Sequence, residues 1–84
     1  MTSRFAFSLS EQAIRAVIDA DDVERRELLR LFETLCRDPG CRGADRVIDA
    51  AGRANEVTYI EHFRVVYWPD DAVKEVRITD IRRY

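Results

Sequence analysis

The sequence predicts an α+β fold: an N-terminal strand, a hairpin of two helices, and then an antiparallel β-meander packed on those helices. Three observations predict it. Phe5, Phe7 and Leu9 alternate with small or polar residues, which is typical of a strand with one apolar face. Two amphipathic segments with helical spacing follow. After Gly52 the apolar period changes to two, in three consecutive segments that read NEVTYI, FRVVYW and VKEVRITDI.

Capping signatures indicate where the two helices begin. Either Ser8 or Ser10 would cap the first helix, and Ser8 is favoured because Glu11 lies three residues after it, as in a capping box. Asp21 and Glu24 repeat the signature, so a second helix is expected to begin there. The apolar stripe of the first helix is Ala13, Ile14, Val17 and Ile18.

The second helix is expected to end before Pro39, because the residue ahead of a proline disfavours helical geometry. Its charged side chains are most simply solvated. In the glycine-containing segment that follows, Val47 and Ile48 are candidates for a short edge strand. The predicted buried positions of the second helix are Val23, Leu28, Leu31, Phe32, Leu35 and Cys36.

Length, charge and cysteine spacing limit the classes of function. The 84 residues are expected to form one domain, 1–84. The 14 basic and 16 acidic side chains give a net charge of −2, so any anion site must come from local clustering. Cys36, Cys41 and His62 match neither a redox nor a zinc pattern, so two reduced thiols, no metal and no cofactor are expected. No segment approaches the ~20 apolar residues of a membrane span and no secretory pattern is present, which favours a cytoplasmic protein without a membrane partner.

Turn lengths predict how the strands of the meander pair. A two-residue loop at 61–62 would place Tyr59 opposite Arg64, and a four-residue loop at 69–72 would place Arg64 opposite Arg77. The same loops would pair Ile60 with Phe63 and Trp68 with Val73. The face toward the helices would then carry Ile60, Phe63, Val65, Tyr67, Val76 and Ile78. The opposite face would carry Tyr59, Arg64, Val66, Trp68, Glu75, Arg77, Ile81 and Arg83.

The arginines and aromatic residues of that second face suit a nucleic-acid strand. A guanidinium group fits phosphate oxygens and would stabilise the charge of a pentacovalent phosphate, while tyrosine or tryptophan stacks on a base. A tyrosine whose pKa is lowered by nearby cations would serve as an acid or a base. An ordinary solvated sheet face, with arginine stems lying over Val66 and Trp68, is the other interpretation, and the residues leave both open.

The order of the motifs carries a family resemblance. A helical hairpin precedes FRVVY (63–67), the acidic turn PDD (69–71), a V-x-V/I-x-x-I strand and a terminal arginine pair. This arrangement, which covers nearly the whole chain, resembles the RelE/ParE superfamily of toxins from bacterial type II toxin–antitoxin systems. The resemblance implies a compact toxin bound by a cognate antitoxin. RelE-like members are ribosome-dependent mRNA endonucleases, whereas ParE-like members target DNA gyrase.

The resemblance also implies roles for individual residues. The arginine of the FRVVY-type strand supports the transferring phosphate in RelE-like enzymes, and Arg64 occupies that position. A basic residue after the last strand acts on the same site, which Arg83 or Arg82 matches. Tyr84 is the candidate for a C-terminal tyrosine that contributes in some members. The residues expected to bind substrate around them are Tyr59, Arg77, Arg82 and Trp68.

Two departures from the RelE-like pattern keep a non-enzymatic function open. RelE-like nucleases place lysines on the strand before FRVVY, but here that strand reads NEVTYI, with Glu56 and Thr58 near the expected positions. The net charge is acidic, whereas ribosome-directed members are usually basic. The alternatives are a ParE-like inhibitor of DNA gyrase and a catalytically decayed toxin fold that only binds a partner. A plain interaction module would use the apolar part of the second face: Val66, Trp68 and Ile81.

Overall fold

A computed structural model of the protein describes residues 4–84 and has the predicted α+β architecture, with two helices on one face of a five-stranded sheet. The elements are β1 (Ala6–Leu9), α1 (Glu11–Asp19), α2 (Asp22–Arg37), β2 (Asp45–Ile48), β3 (Ala54–Ile60), β4 (Phe63–Asp70) and β5 (Glu75–Arg83). The strands lie in the order β1-β5-β4-β3-β2. β1 runs parallel to β5, and the other neighbouring pairs are antiparallel. Within residues 4–84, no helix is long and apolar enough to cross a membrane.

The hydrophobic core lies between the two helices and the helix-facing side of the sheet. Leu28 and Phe32 of α2 are fully buried in one cluster with strand residues that include Val65 and Tyr67. Complete burial of each such side chain stabilises the fold by about 1.5–3 kcal/mol. The Tyr67 hydroxyl donates to the Cys41 carbonyl at 3.1 Å, and burial raises the pKa of Tyr67 to about 12. Tyr67 therefore remains a neutral core residue.

The helices differ from the sequence prediction in which residues face inward. Val23 was wrongly predicted as buried, because it is 62% exposed and Glu24 occupies the inward position one turn before Leu28. On α1, Ile14 and Ile18 are exposed, so only part of the predicted stripe contacts the core. The remaining predicted positions of α2 are buried, or half-buried in one case: Leu28, Phe32, Leu35, Cys36 and Leu31.

One of the two predicted caps is confirmed and the other is shifted. The Asp21–Glu24 capping box is present, with both reciprocal hydrogen bonds formed at 2.8 and 3.0 Å. The N-cap of α1 is Ser10 and not Ser8: the Ser10 hydroxyl accepts from the Ala13 amide at 3.1 Å. Ser8 is unable to cap because it lies within β1, opposite Arg77 of β5. The strand extends through Leu9 and sets the start of the helix.

Arg25 joins the two helices and is not merely solvated, as the sequence suggested. Its guanidinium donates to the carbonyls of Val17, Ile18 and Ala20 at 3.0, 3.0 and 2.7 Å. These carbonyls lie at the C-terminal end of α1, where the helix dipole makes a cation favourable. Arg25 thus stabilises the joint of the helical hairpin.

The predicted edge strand and the β3–β4 register are confirmed. Val47 and Ile48 lie in β2, which pairs with β3 at the edge of the sheet. Tyr59 pairs with Arg64, as expected from the two-residue loop between β3 and β4. Ile60 likewise pairs with Phe63. A local rule was sufficient to predict the β3–β4 pairing, because the length of the loop fixes it.

The predicted β4–β5 register is wrong for two reasons. The turn lies two residues later than predicted, so Trp68 pairs with Arg77; the turn and a β-bulge together pair Arg64 with Arg82. In addition, Tyr67 pairs with Ile78 while Val66 pairs with Asp80, which makes Thr79 an additional residue in β5. Such a β-bulge inverts the faces of all residues after it. Ile81 is therefore in the core and Arg83 faces the helices, contrary to the prediction.

Candidate functional site on the open sheet face

The candidate site lies at the end of the sheet face that is turned away from the helices, here called the open face. Tyr59, Arg64 and Arg82 form one row across β3, β4 and β5, because each is the direct register partner of the next. Tyr84 follows β5 and contacts this row through Tyr59, with the ring centroids 5.4 Å apart in an edge-to-face arrangement. We call Tyr59, Arg64, Arg82 and Tyr84 the arginine–tyrosine cluster.

The two arginines of this cluster differ in their counter-ions. The Arg82 guanidinium contacts the Asp80 carboxylate at 3.1 Å, although its side chain is still 67% exposed. Arg64 is half-buried, and within residues 4–84 it forms no ion pair, while Arg77 and Arg82 of the same face do. Like charges directly opposite in a sheet are destabilising. A guanidinium held beside a second one, without a carboxylate of its own, is suited to an anion from outside the chain.

Tyr84 is held over the β3–β4 turn by its backbone and its side chain. Its amide donates to the His62 carbonyl at 3.2 Å, and its hydroxyl donates to the Ile60 carbonyl at 3.1 Å. The ring nevertheless remains exposed, as does that of Tyr59. The cluster therefore presents two accessible aromatic rings beside two guanidinium groups. His62 contributes a carbonyl to this arrangement, and its imidazole lies in the turn, as predicted, 3.9 Å from the Glu61 carboxylate.

Arg83 lies on the other side of the sheet from the cluster. Its guanidinium forms a bidentate ion pair with the Glu24 carboxylate of α2, and it also lies 4.9 Å from the ring centroid of Phe63. The Arg83 hydrogen bond lowers the pKa of Glu24 to about 2, with a further contribution from the Asp21 amide. The same ion pair raises the pKa of Arg83. Of the two C-terminal arginines left open by the sequence, Arg82 is the one next to Arg64.

The far end of the open face carries a second group of cations and an aromatic ring. The Arg53 guanidinium lies 3.8 Å from the Trp68 ring centroid, and that of Arg77 lies 5.7 Å from it. Arg77 is also bound by Asp70 at 2.9 Å and by Glu75 at 3.5 Å. Trp68 and Arg77 thus lie on the predicted face but away from the cluster. We call Arg53, Trp68 and Arg77 the arginine–tryptophan cluster.

Sequence reasoning missed Arg53, although a signal for it exists. Arg53 directly precedes β3 and continues the alternation of Asn55, Val57 and Tyr59, which places it on the open face. Between the two clusters the open face carries Val57 and Val66, which pair with each other. Both are buried, although they do not belong to the helix-side core. The face therefore consists of two charged ends and an apolar centre.

The residues at the expected lysine positions of β3 point away from the cluster. Glu56 pairs with Tyr67 and Thr58 with Val65, both of which are core residues on the helix side. The Glu56 carboxylate accepts from the Gly43 amide at 2.8 Å and from Arg46 at 2.7 Å. These contacts, the Gly43 amide first, lower the pKa of Glu56. Glu56 thus fastens the segment before β2 and does not oppose Arg64.

The chemistry available to the arginine–tyrosine cluster follows from its members. Two guanidinium groups neutralise a phosphate, and exposed phenol rings stack on bases or exchange a proton. Groups of three or more metal-ligating side chains do not occur in the part of the chain that the structure describes. β3 supplies no lysine to the cluster. Any phosphate chemistry here would rely on charge stabilisation more than on a strong base.

Comparisons with known proteins identify the fold. No family model and no curated protein matches the sequence. Among solved structures, the chain is similar to a chain of the toxin–antitoxin complex RelBE2 from Mycobacterium tuberculosis, with a TM-score of 0.78, 16% identity, and coverage of 98% of this chain and 100% of that one. The archaeal RelE–RelB complex from Pyrococcus horikoshii OT3 matches with a TM-score of 0.76 and 14% identity, over 96% of each chain.

The intact E. coli RelBE toxin–antitoxin complex is similar over 95% of this chain and 96% of that one, with a TM-score of 0.63 and 12% identity. All three matches span almost the entire chain, so they concern the whole arrangement of helices and strands and not one motif. They confirm the architecture that the order of the motifs had implied. The chain therefore has the RelE-like fold.

Proposed function

We propose that the protein is the toxin of a type II toxin–antitoxin pair and that it cleaves mRNA on the ribosome. The observation that carries the proposal is that Arg64 lies beside Arg82 on the open face and that Arg64 itself has no acidic partner within residues 4–84. The RelE-like fold supports the proposal, because the similar structures are toxin–antitoxin complexes. The partners it implies are a cognate antitoxin, the ribosome and mRNA.

In the proposed reaction a ribose 2′ oxygen attacks the adjacent phosphorus, and the bond from phosphorus to the 5′ oxygen breaks. The 2′-hydroxyl releases its proton to solvent, and the departing 5′ oxygen takes a proton from Tyr84, whose phenolate regains one from solvent. Arg64 and Arg82 stabilise the charge that develops on the non-bridging oxygens. Tyr84 would have to exchange its hydrogen bond with the Ile60 carbonyl for one with the substrate.

A second candidate function is non-enzymatic binding, either as a ParE-like inhibitor of DNA gyrase or as a toxin fold that only engages a partner. The absence of lysine from β3 and the net charge of −2 favour this candidate. It uses the same open face but needs no proton transfer. The two candidates differ in the molecule that is damaged or blocked when the protein is made without an antitoxin.

Expression of the chain in a bacterium without its antitoxin tests the proposal. The wild type should arrest growth and produce mRNA cut within translated regions, as mapped by primer extension. Arg64→Ala should restore growth, whereas Arg26→Ala, which removes an equal charge from the exposed side of α2, should not. Growth arrest with intact mRNA and inhibited DNA supercoiling would select the gyrase candidate. Normal growth with the wild-type chain would contradict the toxin proposal.

A further inference from the structure

We propose that Arg53 and Trp68 form a second subsite, which holds a nucleobase of the same RNA strand whose phosphate lies at Arg64. The inference rests on the proposed function and assigns a ligand chemistry to the far end of the open face. It concerns binding of the strand and involves no bond making or breaking.

The stack of Arg53 on Trp68 provides a flat surface for a base. A distance of 3.8 Å from the guanidinium carbon to the ring centroid places the guanidinium directly over the indole. The Arg53 side chain is 46% exposed, so it also has a side turned to solvent. RNA-binding proteins stack unpaired bases on arginine planes as well as on aromatic rings. The indole beneath holds the guanidinium plane and restricts its freedom before a ligand arrives.

The charges around this stack favour a base over a phosphate. Arg77 is bound by Asp70 and Glu75, and Arg53 lies 3.9 Å from the Asp49 carboxylate. Three carboxylates thus accompany two guanidinium groups, which leaves no local excess of positive charge. A phosphate would be repelled by this set, whereas an uncharged base would still gain stacking energy. The contrast with Arg64 assigns the two ends of the open face to different parts of a nucleotide.

The spacing of the two ends permits one extended strand to reach both. Arg64 and Trp68 lie on the same face of β4, four residues apart, which corresponds to about 13 Å along a strand. Val66 lies midway, buried against Val57, so the floor between the ends is apolar. A short single strand running along β4 would place a phosphate at Arg64 and a base at Arg53.

Trp68 is the only tryptophan of the chain, so its fluorescence reports on this subsite directly. The probes are a hexanucleotide with 2′-O-methyl groups, which lacks the nucleophile for cleavage, and an abasic hexanucleotide with the same backbone. We expect the base-bearing strand to change Trp68 emission. Arg53→Ala should weaken binding of that strand by about tenfold and leave binding of the abasic strand unchanged.

Arg53→Lys is the control for charge. It keeps the cation but loses the planar group, so it should weaken the base-bearing strand much as Arg53→Ala does. The subsite would be overturned if Arg53→Ala weakened binding of both strands equally, if Arg53→Lys bound the base-bearing strand as tightly as the wild type, or if neither variant had an effect. Arg64→Ala should weaken both strands; if it affects neither, the role of Arg64 in the proposed function fails while the Arg53 results still decide the subsite. A wild type that binds neither strand overturns the subsite, while cleavage of mRNA on ribosomes decides the proposed function separately.

Discussion

Arg82 and Arg83 are adjacent in the chain, yet they lie on opposite faces of the sheet in surroundings of different kinds. On the helix side, Arg83 is bound by the Glu24 carboxylate and packs against Phe63. On the open face, Arg82 lies opposite Arg64, and within residues 4–84 the one carboxylate paired with either of them is Asp80, 3.1 Å from Arg82. The fold thus supplies a dedicated counter-ion to one arginine and brings the other next to a second cation. Whether an arginine of this chain is available to a ligand therefore depends on its neighbours in the fold, since Arg82 and Arg83 are residues of the same type.

The bulge at Thr79 creates the difference, because it brings Ile81 into the core and leaves Arg82 on the open face, so truncating Ile81 should have the largest effect. Ile81→Ala removes a buried core side chain and should cost about 2–5 kcal/mol, whereas a position on the open face would cost little. Urea denaturation should show a much lower midpoint. Thr79→Ala keeps the additional residue and loses only the hydroxyl contact with the Val66 carbonyl, so it should cost about 1 kcal/mol or less. Equal midpoints for Ile81→Ala and the wild type would contradict the face assignment.

Acid should break the helix-side contact, because the Glu24 carboxylate holds it. The pKa of Glu24 is lowered from 4.5 to about 2 in the folded protein, first of all by Arg83. A carboxyl with a depressed folded pKa stabilises the fold fully above its unfolded pKa and loses that contribution as the pH falls toward the folded value. The urea midpoint of the wild type should therefore fall between about pH 5 and about pH 2.

Glu24→Gln is the matched variant for this measurement. Glutamine still accepts the capping-box hydrogen bond from the Asp21 amide but lacks the charge that binds Arg83. Its midpoint should lie below that of the wild type at neutral pH and vary less with acid. Parallel pH curves for the two proteins would mean that another carboxyl dominates the acid response.

The smallest effect on stability should come from the open face. Arg82→Ala removes an exposed side chain and should change the free energy of unfolding by about 0.5 kcal/mol or less. Arg83→Ala should destabilise more, because it leaves the Glu24 carboxylate without its partner. Thermal melts of the two variants in the same buffer distinguish these outcomes. A larger loss for Arg82→Ala would reverse the comparison.

The sequence was sufficient to predict the features that depend on neighbouring residues. The two-residue loop fixed the pairing of Tyr59 with Arg64, and the Asp21 capping box fixed the start of α2. It was insufficient to predict the features that depend on contacts between residues far apart in the chain. The β4–β5 turn contains Lys74 with φ 57°, a conformation rare outside glycine, and nothing local indicates the bulge at Thr79.

The candidate site shows the same division between local and distant information. The motif FRVVY identified Arg64, but the choice between Arg82 and Arg83 depended on the bulge. The role of Arg53 depended on a stack with Trp68, fifteen positions away in the chain (68 minus 53). Period-two alternation gives the face of a residue only while the alternation is unbroken. Partners across the sheet had to come from the structure.

The most direct test of the central claim, that Arg64 holds the reacting phosphate, is the rate of mRNA cleavage by purified protein on programmed ribosomes. Arg64→Ala is compared with the wild type and with Arg26→Ala, after circular dichroism has shown that all three are folded. We predict that Arg64→Ala lowers the cleavage rate about 100-fold or more, as expected for the loss of one donor that stabilises transition-state charge, while Arg26→Ala cleaves at the wild-type rate. Cleavage by Arg64→Ala at the wild-type rate would contradict the account.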